Sequence, residues 1–153
     1  MQARMKSSAY VLPDAVKGIG ALIKATGEGG VPQELLEFVA LRTSQINGCS
    51  ACVYGHLANA RKAGATDDRL FNVGTWREAP FYTDAERAAL ALAEAATRLA
   101  DRSGDAVPDE LWDEVADHFD EKQLSAIILM IGLTNMFNRL NAVIKEPAGT
   151  TWD

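Results

Sequence analysis

Residues 46–64 read INGCSACVYGHLANARKAG, from a break at Asn47-Gly48 to a second glycine, Gly64, where a helix C-terminus would place one. Set as a helix from about Cys49 to Ala63, at about 100° per residue, Cys49, Cys52, Val53, His56, Ala60 and Ala63 fall within an arc of roughly 100°. Tyr54, Gly55, Ala58 and Lys62 lie on the other side. Two thiols thus share an apolar helix face with one of the chain's two histidines, and His56 sits one turn beyond Cys52.

The same signals recur on both sides. Upstream, Pro32 opens a helix whose stripe is Leu35, Leu36, Val39, Ala40, Thr43 and Ile46, with Glu37 at its edge. Before it, Leu12, Val16, Ile19 and Ile23 recur at helical spacing until Gly27, Gly29 and Gly30. Downstream, Thr66 precedes Asp67 and Asp68 as a helix cap. Thr83 and Glu86 have capping-box spacing ahead of an Ala/Leu-rich helix expected to end near Gly104. Pro108 starts a short helix with Leu111, Trp112 and Val115. Asp120 and Gln123 form a second capping box before the most apolar helix, expected to fade at Asn138-Arg139 and end before Pro147. No alternating run is long enough for a strand. The expected fold is an all-α bundle of about six to seven helices. The first eight and last six residues carry no such pattern and are expected to be loose.

The 153 residues fit a single domain, 1–153, that needs no disulfide framework to fold. A net charge of −6 argues against nucleic acid and anionic membrane as partners, since both reward clustered Lys and Arg. The start lacks an apolar signal core, and Leu124 to Leu133 falls short of the roughly 20 residues that span a bilayer. A cytoplasmic, reducing compartment is the default expectation, and there two cysteines three apart are more often chemical than structural.

That placement suits thiol chemistry. Cys49 and Cys52 are close enough for a disulfide across one turn. A helix N-terminus favours anions, and lowering a thiol pKa from about 8.5 to about 6.5 raises its thiolate share at pH 7 from roughly 3% to roughly 75%. Imidazole exchanges protons near neutral pH, so His56 can take the proton of Cys52 or return it to a leaving group. Glu37, one helix earlier, is placed to accept a proton or orient His56.

At these residues the sequence resembles the alkylhydroperoxidase D (AhpD)-like branch of the carboxymuconolactone decarboxylase family. The resemblance runs through Glu37, Ser44-Gln45, Asn47-Gly48-Cys49, Cys52 and His56. It continues through Ala60-Arg61, Gly64, Arg69-Leu70, the run Trp76 to Phe81, Glu86 to Leu90, and Asn138-Arg139-Leu140. It implies a family core at about 32–143 behind an N-terminal helix at about 12–26, and a homo-oligomer, commonly a trimer or hexamer. It also implies reduction of hydroperoxides. Cys52 would attack the peroxide, Cys49 would resolve the sulfenic acid, His56 and Glu37 would relay protons, and an external dithiol donor would reset the disulfide. Such a cycle runs on the protein's own thiols, so no cofactor and no metal is expected. Some members carry a second His just before the second Cys; here that position is Ala51.

Other readings stay open. His56 and Glu37 could serve a non-redox decarboxylase or lactone-processing enzyme, or the thiols could sense oxidation in an assembly module. Zinc is disfavoured, because Cys49, Cys52 and His56 share one helix and no second Cys or His pair exists. A thioredoxin-type motif belongs beside a βαβ unit, and none is expected. His118 complements a helix C-terminus. Arg77 could pair with a carboxylate or reach the site.

Overall fold

The computed structural model describes residues 2–6, 10–101 and 104–149. Among the described residues seven α-helices follow one another, α1 Pro13–Glu28, α2 Gln33–Asn47, α3 Ser50–Lys62, α4 Asp67–Phe71, α5 Asp84–Thr97, α6 Asp109–His118 and α7 Glu121–Ile144. Short 3-10 turns cover Val73–Thr75 and Leu99–Asp101, and no strand occurs among the described residues.

The ends of these helices follow local chemistry. Gly48 takes φ 69°, and its N–H bonds back to the Gln45 carbonyl, so α2 stops there and the chain turns directly into α3. Both capping boxes form, Thr83 with Glu86 and Asp120 with Gln123. Thr66 Oγ1 accepts from the Arg69 N–H and caps α4. Two boundaries differ from expectation. The Ala/Leu-rich helix stops at Thr97, because Arg98 leaves helical geometry at φ −99°, ψ 28°. Conversely, α7 does not fade at Asn138-Arg139 but runs unbroken to Ile144. Asparagine alone does not break it; unlike Asn47, Asn138 has no glycine after it.

α2 is the axis of the molecule. Every residue from Leu35 to Leu41 is buried, so this helix has no solvent face over two turns. Leu35, Leu36 and Val39 pack with Ala89, Leu92, Val115, Ile127 and Ile131 of α5, α6 and α7. On its opposite side Phe38 and Leu41 pack with Ala60, Leu70, Val73, Trp76, Tyr82 and Leu90. Burying each such large side chain stabilises the fold by roughly 1.5–3 kcal/mol. Glu37 therefore lies inside the bundle, not at the edge of a stripe, and is only 3% exposed.

The expected core stripe of α1 is largely on the surface instead, with Leu12, Val16 and Ile23 exposed and Ile19 buried. Gly29, just beyond α1, sits against α7; a Cβ there would lie 2.3 Å from Ala126 Cβ. The N-terminal segment is tied to the end of α7 at Arg4. The Arg4 N–H donates to the Ile144 carbonyl at 2.8 Å, and its guanidinium to that of Val143 at 3.0 Å. Of the expected loose ends, residues 1, 7, 8 and 150–153 lie outside the described residues.

α7 is long and apolar enough to cross a membrane by length and composition alone. The sequence reading undercounted it by ending the apolar run at Leu133. In the bundle it packs against α1, α2 and α5, and its asparagines bond to other helices. Asn47 Nδ2 donates to Asn135 Oδ1 at 3.0 Å and to Asn138 Oδ1 at 2.8 Å, while Asn138 Nδ2 donates to Ser44 Oγ at 3.0 Å. This network, buried at Ser44 and Asn138, locks α7 to the C-terminal turn of α2, next to the α2–α3 turn.

Candidate active site

The α2–α3 turn delivers both cysteines to one place. Cys49 is the N-cap of α3 and Cys52 lies in its first turn, and the two are joined as a disulfide with Cα atoms 5.3 Å apart. The Cys52 N–H donates to Cys49 Sγ at 3.3 Å, so the sulfur takes the place of the usual capping oxygen. Both cysteines are buried, and the small side chain of Ala51 packs with them.

One turn further along α3, His56 is buried against α2. Its Nδ1 lies 2.8 Å from Glu37 Oε2. A carboxylate oxygen that accepts there makes Nδ1 the donor and leaves Nε2 as the ring's other nitrogen. Glu37 Oε1 accepts from Gln33 Nε2 at 2.7 Å and from Asn59 Nδ2 at 3.5 Å. A buried carboxylate needs such partners, and all three donors come from α2 and α3.

All four residues singled out in the sequence thus lie on the α2–α3 hairpin, Cys49 bonded to Cys52 and Glu37 to His56. Three partners escaped the sequence reading. Gln33 and Asn59 stand four before Glu37 and three after His56, spacings that would have pointed to them. Asn141, whose Nδ2 donates to Cys52 Sγ at 3.4 Å, comes from α7 and left no local signal.

Arg77 does not enter the site. It donates to Glu94 Oε2 at 2.7 Å and stacks over the Trp76 ring at 4.1 Å. Burial would raise the Glu94 pKa, but hydrogen bonds from Arg77, Trp76 and Arg42 hold it below the ordinary carboxylate value. Arg69 is a second structural node, paired with Glu34 at 2.6 Å and with Glu86, and lying over the Phe38 ring. Tyr82 beside it is pushed up to about 12, by burial first, with Arg69 opposing.

An open cavity of about 460 Å³ lined by Gln33, Glu34, Glu37, Asn59 and Lys62 reaches the carboxylate side of the His56–Glu37 pair. A second, of about 490 Å³, is lined by Arg42, Asn47, Thr97, Arg98 and Arg139, and neither cysteine is in its lining. Among the described residues no three His, Cys, Asp or Glu side chains gather as a metal-holding group. The arrangement can therefore do dithiol–disulfide chemistry with an adjacent, carboxylate-oriented imidazole.

Comparison with known proteins shows the family and the fold. Residues 13–95 match the carboxymuconolactone decarboxylase family. The uncharacterized protein YdfG of Bacillus subtilis (strain 168) is 33% identical over 140 residues, which cover 92% of this chain and 93% of that protein. A crystal structure of a protein of unknown function from Agrobacterium tumefaciens, a candidate antioxidant defence protein AhpD, superposes with a TM-score of 0.87 at 29% identity. The match covers 97% of this chain and 99% of that one. The debrominase Bmp8 superposes with a TM-score of 0.79 at 27% identity, over 90% of this chain and 73% of its own. A cysteine-to-alanine variant of Bmp8 is also known in complex with 2,3,4-tribromopyrrole.

Proposed function

The chain belongs to the carboxymuconolactone decarboxylase family and has an AhpD-like helical fold, and within that family we propose that it is a thiol-dependent oxidoreductase that reduces organic hydroperoxides. The observation that carries the reading is the Cys49–Cys52 bond on the same helix as a buried His56 that is held by Glu37. A dithiol that closes within one helical turn, beside a base, has the parts a two-electron reduction needs.

In the proposed cycle His56 Nε2 takes the proton of Cys52, and Glu37 stabilises the imidazolium through Nδ1. The Cys52 thiolate attacks the terminal oxygen of ROOH. The O–O bond breaks, Cys52 becomes a sulfenic acid, and the leaving alkoxide takes the proton from His56 as ROH. The Cys49 sulfur then attacks Cys52, the S–O bond breaks, and hydroxide leaves with the Cys49 proton as water. The resulting disulfide is the state seen in the structure. An external dithiol donor returns two electrons and two protons, so the sum is ROOH plus a dithiol giving ROH, water and a disulfide. The scheme uses no cofactor and no metal.

Ala51 bears on the relay. With alanine there and burial around it, His56 and Glu37 are the acid–base pair of this proposal without a second imidazole. Self-assembly as a homo-oligomer is part of the same reading. It is supported by apolar side chains exposed on α1 and α7, among them Val16, Ile23 and Ile128.

Thiol titration of the reduced protein before and after one equivalent of cumene hydroperoxide tests the proposal. The expected result is loss of both thiols. Cys52→Ser should abolish peroxide consumption, and Cys49→Ser should leave a sulfenic acid that dimedone traps. Two thiols surviving the peroxide would refute it. The likeness to Bmp8 favours a second reading, reductive debromination. There the two thiols would give two electrons to a bromopyrrole, with bromide and a proton released and the same disulfide formed. Bromide release from 2,3,4-tribromopyrrole with no oxidation by cumene hydroperoxide would select it.

A further inference from the structure

The contact between α7 and the sulfurs assigns a role that the α2–α3 hairpin does not contain. Asn141 Nδ2 donates to Cys52 Sγ at 3.4 Å, across 89 positions of sequence. A disulfide sulfur is a weak acceptor, so in the oxidised protein this bond contributes little. In the reduced protein the same amide faces a sulfur that must become an anion, and hydrogen bonds to ionised groups are about twice as strong. Cys52 is 1% exposed, so water does not solvate that anion, and burial by itself pushes a thiol pKa up. Cys49 is provided for differently, at the N-cap of α3 with the Cys52 N–H donating to its sulfur at 3.3 Å.

The backbone that carries this amide is also held in place. Three residues earlier on α7, Asn138 is bonded to Ser44 and Asn47 at the end of α2, two residues before Cys49. The Asn141 carbonyl accepts from the Glu146 N–H at 2.9 Å in the capping turn of α7. Among the described residues, Cys52 is bonded to Cys49, His56 follows four residues later on its own helix and is bonded to Glu37 on α2, while α7 presents the neutral amide.

We propose that Asn141 is a catalytic residue of this site, whose amide N–H stabilises the Cys52 thiolate and so makes Cys52, rather than Cys49, the attacking sulfur. This rests on the thiol chemistry proposed above and deepens it.

The test measures the thiol itself and needs no peroxide. In reduced protein carrying Cys49→Ser, the pH dependence of iodoacetamide alkylation gives the Cys52 pKa. Asn141→Ala should raise it by about one to two units, a ten- to hundredfold loss in the thiolate-to-thiol ratio. Asn141→Asp should raise it further, because a carboxylate beside a thiolate is a like charge. Asn141→Ser, which keeps a donor, should fall below the alanine variant. In protein carrying Cys52→Ser, the Cys49 pKa should not move with alanine or serine at 141, and should rise less than that of Cys52 with aspartate. Circular dichroism reports folding, and the serine and aspartate variants carry the comparison if the alanine variant does not fold. An unchanged Cys52 pKa, or equal shifts at both cysteines, overturns the inference. Shifts as expected in a protein that consumes no peroxide would overturn the proposed activity and leave this role of Asn141 standing.

Discussion

Replacing Glu37 by glutamine keeps the shape of the side chain and removes its charge. In the native arrangement Oε2 faces His56 Nδ1 at 2.8 Å, while Oε1 accepts from Gln33 at 2.7 Å and from Asn59 at 3.5 Å. An amide offers one oxygen for these two jobs. If the oxygen stays with Gln33 and Asn59, the NH₂ group faces Nδ1, which must then accept. The imidazole proton moves to Nε2, and the ring can no longer take a proton there. If the amide is turned, its NH₂ group opposes the Gln33 and Asn59 donors, and a neutral bond replaces the charged one to His56. Exchanging a charge-assisted bond for a neutral one costs about 1–1.5 kcal/mol, roughly tenfold in rate. Losing the general base altogether costs about 10²- to 10⁴-fold.

We expect Glu37→Gln to slow single-turnover disulfide formation with cumene hydroperoxide, followed by stopped-flow at pH 7, by at least about tenfold and up to about 10⁴-fold. Its urea midpoint should correspond to a loss of no more than about 1.5 kcal/mol, because volume and most hydrogen bonds are kept. Nitrogen-15 NMR of the imidazole reads the tautomer directly. Oxidation of the variant at the wild-type rate would refute the relay, whatever the tautomer.

Two further outcomes concern stability. A Cβ at Gly29 would lie 2.3 Å from Ala126 Cβ and 3.1 Å from the Lys122 carbonyl, neither of which can swing aside. Gly29→Ala should therefore destabilise by about 1–3 kcal/mol in urea denaturation, and adding Ala126→Gly should recover part of the loss; no change would show that α1 docks loosely on α7. Glu94, with its pKa held below the ordinary value, contributes stability that is present above the unfolded value of 4.5 and lost as pH falls through the folded value. Glu94→Gln should cost about 2 kcal/mol at pH 7 and flatten the loss of stability on acidification below pH 4.5, read from urea midpoints at several pH values; parallel curves for both proteins would contradict it.

Local signals carried most of the helix boundaries. Thr83–Glu86 and Asp120–Gln123 form capping boxes through bonds three residues apart, so they can be read without knowing the fold. Gly48 is legible for the same reason, since only its backbone freedom is needed to end α2. The pairing of Cys49 with Cys52 and the position of His56 follow from the pitch of one helix.

What sequence could not supply is which helix becomes the axis. Leu35 to Leu41 gives an apolar stripe, yet only packing against α3, α5 and α7 together buries the remaining side of α2 and Glu37 with it. For α1 the converse holds: its stripe is as periodic as any, but the bundle covers only Ile19 and Thr26. Hydrophobic periodicity states which side chains favour burial, and the number of neighbouring helices decides which are buried. Asn141 is the plainest case. Its contact with Cys52 exists because α7 continues past Asn138 and is locked to α2 by bonds spanning 88 to 94 residues. The sequence by itself placed a dithiol and a base on one helix face over two turns, because three or four residues make about a turn in any α-helix. The tertiary structure decided that the base is buried against a carboxylate and that the inner sulfur meets an amide, because those partners meet only when the bundle closes.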